Sequence, residues 1–588
     1  LPGNLLLLPA LAALALVAYL PSLGGGFLWD DDRFVTGNEL LRSAAGLGRI
    51  WLEPSSFPQY YPLTVTSFWL EYRLWGPDPA PYRLANLLLH LAAALLVWAV
   101  LRRLRVPWPL AGAALFLLHP VQVETVAWIS ERKNLLSAVL GLGSLLLYLE
   151  PEEGGGARRP LAYATSFLLF LLGLLAKTTL CTLPAVIAVL LWWRRGRIGG
   201  GDLLRLVPFF AAGVGLGLVT VAMETSVAGA AGTPWELSPA QRLLIAGRAL
   251  WFYAGKLLWP VGLAFSYPRW EVDPGSLRQV LFPLAALATL ALLWLGRGRL
   301  GRGPLAGVLI YAGALFPALG FFDVYPMRYT FVADHYQYLP GLGLLALLPA
   351  LAARFLPHGR VPPRWLAPAV LLPLALITWR QAHAYRDAET LWRATLRRNP
   401  ASWMAHVNLG VALADKGRNE DAAASFRRAL ELDPDNGKAL FGLGRLALAE
   451  GRTAQAVDLL QRSRRAIPEF VPGLFTLAGA LAAAGEPEGA RALYTEVLRR
   501  RPGDVKARHN LGILAAGRGQ WEEALRHFAE AARLEPANAR RHAMVGLALD
   551  NLGRSGEAEA ARRRARDLDP SLPLLRGAGA EDAAAPRR

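Results

Sequence analysis

The chain has 588 residues, 54% of them hydrophobic, and a formal net charge of +18 at neutral pH. Its length exceeds one ordinary domain and its apolar excess is confined to residues 1–380, which excludes a wholly soluble globular protein. The single cysteine, Cys181, excludes an intrachain disulfide and any cysteine-based zinc cage.

The first apolar stretch, Leu5 to Leu20, has no small-x-small cleavage site and runs into SLGGGFLWDDD, so it reads as an uncleaved first span. Further apolar runs fall at about 83–101, 107–122, 134–149, 161–176, 179–193, 203–222, 277–295, 304–322, 338–355 and 366–380, predicting about eleven transmembrane helices. Arginines gather in alternate connections: Arg102, Arg103 and Arg105; Arg158 and Arg159; Arg194, Arg195 and Arg197; Arg297, Arg299 and Arg302; Arg354, Arg360 and Arg364. The positive-inside bias places these clusters in the cytoplasm with the N-terminus, and odd parity sends the C-terminal region to the periplasmic side of the inner (plasma) membrane. A run at 240–259 would invert this order, and is read as a re-entrant or interfacial helix.

The five clusters hold fourteen arginines, so the net charge is largely a matter of topology. Across residues 385–570, 30 Lys and Arg stand against 24 Asp and Glu, spread over helix faces without stacking aromatics; nucleic acid is not an expected partner.

Pro400, Pro434, Pro468, Pro502, Pro536 and Pro570 recur every 34 residues, the period of the helix-turn-helix tetratricopeptide repeat (TPR). Leu409-Gly410, Leu443-Gly444, Leu477-Ala478, Leu511-Gly512 and Val545-Gly546 fill the first-helix slots; Ala422, Ala456, Ala490, Ala524 and Ala558 fill the small-residue slot of the second helix. Ala388, Trp392 and Pro400 form half a repeat directly after the last span, and Arg562, Arg563 and Arg564 bring charge to the large apolar slot of a capping repeat. The expected fold is all-α: a polytopic membrane domain over 1–380, a TPR solenoid over 381–570, and a disordered tail over 571–588.

With this topology the unusual polar residues share the non-cytoplasmic side. Asp30, Asp31 and Asp32 follow the first span, Glu124, Glu131, Arg132 and Lys133 the third, and Lys177 the fifth; Glu224, Glu271, Arg328, Asp334 and His335 join them. Charges at membrane depth point to a functional cavity, here a carboxylate base beside cations suited to an anionic leaving group. Three adjacent carboxylates repel, which raises at least one pKa; they also offer a bridge for a divalent cation, or simply a solvated loop or helix cap. Arg132 and Lys133 suit a phosphate, or pairing with Glu124 and Glu131. Lys177 alone reads equally as a snorkelling lysine, and His119 as a hydrogen-bonded helix-end histidine. The chain has no Walker loop, nucleophile elbow, dinucleotide fingerprint or zinc motif, so such a site needs a lipid-delivered, pre-activated substrate.

FLWDDDRFVTGN, ALFLLHPVQVETVAWISERKNLLS, LLAKTTLCTLP, LWPVGLAFSYP and DHYQYLPGLGL followed by TPRs, in this order, resemble the transmembrane and TPR-containing (TMTC) O-mannosyltransferase family over almost the whole chain. The resemblance implies a GT-C glycosyltransferase that takes a polyprenyl-phosphate sugar and carries acids in its first external loop. It implies that one of Asp30 and Asp31 deprotonates the acceptor hydroxyl while the other orients it, and it places His119, Glu124 and Arg132 on the family's HP...E...R stretch. Lys177 matches a lysine that relatives follow with Glu; here Thr178 follows. Asp334 and His335 stand where relatives often carry Glu and Arg. Arg132, Lys133, Lys177, Arg328 and His335 are then the candidates for the leaving phosphate, with Asp32 and Asp334 supporting. Attack by a Ser or Thr hydroxyl on the anomeric carbon in one displacement inverts the configuration, with the lipid bilayer delivering the donor and the TPR groove holding a protein acceptor. Two other readings use the same sequence: a non-catalytic membrane TPR scaffold for envelope assembly, and a GT-C enzyme acting on a glycolipid or glycan.

Overall fold

Proline and capping residues punctuate the chain into helices, and no strand occurs among the described residues. The computed structural model describes residues 2–57, 59–149, 158–230, 232, 235–355 and 363–572. The tail from residue 573 and Arg360 lie outside the described residues. The chain divides into two compact units between Ala405 and His406.

The first unit opens with α1 (Pro2–Leu23), α2 (Ala44–Leu52), α3 (Pro62–Trp75) and α4 (Pro79–Arg103). α5 (Pro109–Leu118), α6 (Val123–Ala127), α7 (Arg132–Tyr148), α8 (Arg158–Ala176) and α9 (Leu183–Arg195) follow. Then come α10 (Gly200–Ser226), α11 (Pro239–Leu258), α12 (Leu277–Leu295), α13 (Arg297–Leu300) and α14 (Gly303–Leu315). α15 (Leu342–Leu345), α16 (Leu347–Phe355), α17 (Pro363–Ala384) and α18 (Ala388–Arg398) complete it. Pro62, Pro79, Pro109 and Pro239 sit in first turns, where the missing N–H is not needed. Ser238 and Gln241 close a capping box that starts α11.

By length and composition three described helices, α4, α10 and α12, are able to cross a bilayer, and α5 with α6 makes a fourth if that pair, bent by 52°, counts as one span. Only 22% of the apolar window of α10 and 6% of that of α12 is buried, so Leu204, Leu218, Leu287 and Leu292 are presented outward, as a lipid-facing surface requires. The count of about eleven is thus not reproduced as continuous helices. The run at 304–322 ends as a helix in the 3₁₀ turn Phe316–Ala318, and 338–355 is split into α15 and α16 at Ala346. Hydropathy registers apolarity across such breaks, whereas helix length depends on local turns.

From Trp403 to Leu568 the repeats appear as five helix pairs, and the boundary between the units falls in the first turn of the first of them. α19 (Trp403–Asp415) pairs with α20 (Asn419–Leu432), α21 (Gly437–Ala449) with α22 (Thr453–Ala466), and α23 (Val471–Ala483) with α24 (Pro487–Arg500). α25 (Val505–Ala516) pairs with α26 (Trp521–Leu534), and α27 (Ala539–Asn551) with α28 (Ser555–Leu568). Ala422, Ala456, Ala490, Ala524 and Ala558 are all 0% exposed, because the second helix packs there against the first. A second 34-residue ruler turns each pair: Gly417, Gly451, Gly485, Gly519 and Gly553 have φ between +72° and +80°, a left-handed bend that glycine adopts without a Cβ clash.

Candidate functional site

Asp30, Asp31 and Asp32 diverge. Asp31 is fully buried: one carboxylate oxygen accepts from the Leu28 N–H at 2.9 Å, the other from the Ser130 N–H at 2.8 Å and the Ser130 hydroxyl at 2.5 Å. It therefore pins the loop after α1 to the turn before α7. Burial pushes its pKa up to about 6, and the bonds from Ser130 and Leu28 and the charge of Arg83 keep it from rising further. Asp32 is exposed and accepts from the Thr36 hydroxyl at 2.9 Å. Asp30 is half-buried, and its charge acts on Lys133 and Arg33. With Asp31 enclosed by N–H and O–H donors, the triplet does not converge on a cation, and among the described residues no group of three or more His, Cys, Asp or Glu is arranged to hold a metal ion.

The loop is aimed by an aromatic cluster. Trp29 takes a left-handed φ of +41°, unusual for a bulky residue, and is held by its neighbours. Its ring stacks on Trp128 at 5.8 Å and meets Phe265, Tyr329 and Trp392 edge-on at 5.3–6.2 Å. Arg83 completes the support: its guanidinium donates to the carbonyls of Ser22 at 2.5 Å, Tyr385 at 2.7 Å and Gly26. Gly25 has to be glycine here, since a Cβ would run into the backbone carbonyl oxygen of Arg386.

Below this loop, Glu131 is the hub of a buried charge cluster. Its carboxylate accepts from Lys133 Nζ at 2.9 Å, Asn134 Nδ2 at 2.6 Å and Lys177 Nζ at 3.4 Å, and His335 Nε2 lies 3.9 Å away. His335 Nδ1 is 2.9 Å from Glu124, and its backbone N–H donates to the same carboxylate at 3.2 Å. Burial alone would raise the pKa of Glu131, but the charges of His335, Lys133 and Lys177 outweigh it and hold the group well below the usual carboxylate range. Burial would likewise lower Lys133, yet Glu131 keeps it above an ordinary lysine. Lys177, with only a loose contact to Glu131 and a like charge at Lys133, is lowered by burial to about 8.

The other candidates lie elsewhere. Arg132 is consumed structurally: it donates to Asn86 at 2.5 Å, Glu71 at 2.6 Å and the Tyr82 carbonyl at 2.8 Å, and lies over Phe68. The guanidinium is buried and each of its three nitrogens is engaged. His119 caps the break between α5 and α6, accepting from the Val121 N–H at 3.4 Å and contacting the Leu257 carbonyl at 3.0 Å. Asp334 turns away from the cluster to the Tyr267 hydroxyl, at 2.9 and 3.0 Å; burial and the charge of Glu124 raise its pKa well above the ordinary value. Arg328 is exposed over the Trp403 ring at 5.3 Å. Glu224 is buried against Gln59 and the Tyr325 N–H, and Glu271 is exposed.

A groove of about 320 Å³ runs to the cluster. At one end Lys177, His335, Asn134 and Tyr336 line it; at the other Leu101, Leu104, Trp193 and Arg354 do. Along α7 its wall passes from Asn134 through Ser137 and Gly141 to Leu145, about 16 Å of helix rise. Ser130, Asn134, Glu71 and Asn86 carry much of this geometry and were not singled out by sequence. Arg83 and Asn86 do leave a signal, two polar residues three apart inside the apolar run YRLANLLLHL. Ser130 leaves none.

Tetratricopeptide-repeat family models match residues 372–437, and 413–481 and 481–547. Among curated proteins, the chain is 24% identical over 444 residues to protein O-mannosyl-transferase F38B6.6 of Caenorhabditis elegans, covering 71% of this chain and 61% of that protein. It is 27% identical over 490 residues to protein O-mannosyl-transferase TMTC4 of Homo sapiens, covering 70% of this chain and 64% of the relative. A third match, 35% identical to protein O-mannosyl-transferase Tmtc2 of Drosophila melanogaster, covers 33% of this chain and 22% of that one. The chain therefore spans less than two thirds of the length of each of these three relatives. Among solved structures, the TPR protein YrrB is similar at 23% identity and a TM-score of 0.30, covering 32% of this chain and 97% of its own. The chain is a membrane-type TPR protein whose curated relatives are the TMTC-family protein O-mannosyl-transferases.

Proposed function

We propose that the first unit transfers a sugar, mannose by the names of its relatives, from a polyprenyl-phosphate donor to Ser or Thr hydroxyls of proteins outside the cytoplasm, with inversion. The observation that carries this reading is the amphipathic groove, apolar along most of its length and closed by Lys177, His335 and Asn134; the Asp30 loop reaches this cluster through the charge of Asp30 on Lys133, which pairs with Glu131. An isoprenoid chain matches the apolar wall, and its phosphate matches the cationic end. Asp30, half-buried at that loop, takes the proton of the attacking hydroxyl, while Asp31 holds the loop on Ser130. The new C–O bond forms at the anomeric carbon as the bond to the phosphate oxygen breaks, and the bonding pair leaves with the lipid phosphate. Lys177, Lys133 and His335 stabilise that developing charge in a water-poor site, the larger part of the barrier to be lowered.

The test is sugar transfer by the full chain in nanodiscs, from polyprenyl-phosphate mannose to a Ser/Thr-rich protein. Asp30→Asn should reduce the rate at least about a hundredfold while donor binding persists. Lys177→Met should weaken donor binding itself. Full activity in Asp30→Asn removes the assignment of the base, and donor binding untouched by Lys177→Met removes the phosphate site.

A further inference from the structure

The polar end of the groove holds neutral hydrogen-bonding groups that the charge cluster does not use. Asn134, in the first turn of α7, lines the groove and is 8% exposed. Its Nδ2 faces two acceptors, the Glu131 carboxylate at 2.6 Å and the His335 carbonyl at 3.2 Å, which fixes the orientation of the amide and leaves Oδ1 as an unused acceptor. Tyr336 lines the same groove from the turn Asp334–Gln337, half-buried, with its ring 4.5 Å from that of His335. Its hydroxyl makes no hydrogen bond among the described residues. Thr179, on the turn Thr178–Thr182 directly after Lys177, brings a second hydroxyl without a partner among those residues.

Three separate segments thus carry two O–H groups and one amide oxygen to the wall beside Lys177 and His335. An isoprenoid chain offers these groups nothing, and covering them with it would cost their hydration. A phosphate suits them poorly too. Asn134 Oδ1 accepts only, so a phosphate oxygen placed against it gains no bond. Burial and the charges of Glu224, Glu131 and Glu124 raise the pKa of Tyr336 well above the ordinary value, so the phenol keeps its proton in surroundings that disfavour a further anion. The group that satisfies all three side chains is uncharged and both donates and accepts, as a sugar hydroxyl does.

We propose that Tyr336, Asn134 and Thr179 form a subsite for an uncharged sugar, holding its hydroxyls next to the phosphate bound by Lys177 and His335. The proposal rests on the transferase reading above and adds to it the residues that read the sugar. The glycosyl phosphate linkage itself demands this adjacency: the sugar is bonded to the phosphate oxygen, so its subsite has to adjoin the cationic end rather than the apolar wall. Asn134 Oδ1 accepts from one sugar hydroxyl, and the Tyr336 and Thr179 hydroxyls donate to or accept from others.

The experiment measures equilibrium binding to the full chain in nanodiscs of two lipids of equal charge, polyprenyl-phosphate mannose and polyprenyl methyl phosphate, which lacks the sugar. Wild type should bind the mannosyl lipid at least about fivefold tighter. Tyr336→Phe should weaken the mannosyl lipid about threefold to tenfold and leave the methyl phosphate unchanged, and Thr179→Val, an exposed change of similar shape, should do the same to a smaller degree. Equal losses for both lipids would assign these groups to the phosphate or to the fold and overturn the proposal, as would no loss in either variant. Wild type binding the two lipids alike overturns the sugar subsite and leaves the donor groove standing, whereas wild type binding neither removes the transferase reading itself.

Discussion

Asp31 is a buried acid whose cost depends on pH. Its folded-state pKa of about 6 lies above the ordinary 3.8, so folding favours the protonated form; the contribution to stability is full below the ordinary value and is lost as pH rises through 6. Wild type should lose ~3 kcal/mol from this group over that window, and Asp31→Asn should lack the component. Thermal unfolding of both proteins at a series of pH values checks this, and parallel profiles would contradict it. Lys177 gives a second pH limb, in donor binding rather than in stability. Its ammonium, lowered to about 8, discharges in that region, so affinity for the polyprenyl-phosphate donor should fall as pH rises through 8. Equilibrium donor binding measured on both sides of that value tests it. Arg132 should behave otherwise: Arg132→Gln strands buried Glu71 and costs ~3–5 kcal/mol in stability without a donor-affinity effect of its own.

At the scale of elements, α18 is the informative case. By register it is the second helix of half a repeat, yet it is built into the first unit. Trp392, 2% exposed, contacts Trp29 and Phe265; Asn399 donates to the Ser266 carbonyl at 3.3 Å; the Arg386 carbonyl accepts from the Gly26 N–H at 3.0 Å. Removing α18 takes away one wall of the cluster that holds Trp29 in its left-handed conformation. Trp392→Ala should therefore destabilise the first unit by ~3–5 kcal/mol, and Trp392→Phe should recover part of that. A chain ending near residue 379 should likewise lose thermal stability relative to one ending at 405. Equal melting of the two chains would show that the aromatic contacts are dispensable.

For the whole molecule, the alternating arginine clusters predict that the repeat array lies outside the cytoplasm. Cys181 is the one native thiol, so Cys181→Ser combined with Gly517→Cys, an exposed position between α25 and α26, reports the side of the membrane directly. An impermeant maleimide should label intact spheroplasts, and labelling only after permeabilisation would reverse the orientation.

The repeats, the all-helical class and the apolar first half were legible in the sequence because each is written in local, repeated intervals: proline every 34 residues, alanine at one packing slot, runs of apolar residues. The neighbourhoods of the candidate site were legible as well, since charged residues stand out in apolar surroundings. Their partners were not. Glu131 meets Lys177 from 46 residues away, Arg132 meets Glu71 from 61, and Glu124 meets His335 from 211. Adjacent Arg132 and Lys133 look interchangeable as phosphate ligands, yet successive helical residues point in different directions, so one is spent on Glu71 and Asn86 while the other joins the cluster. The same holds for Asp30, Asp31 and Asp32, which a single turn separates into half-buried, buried and exposed. Periodicity is a property of the chain alone; which charge faces which is decided only when helices distant in sequence pack together.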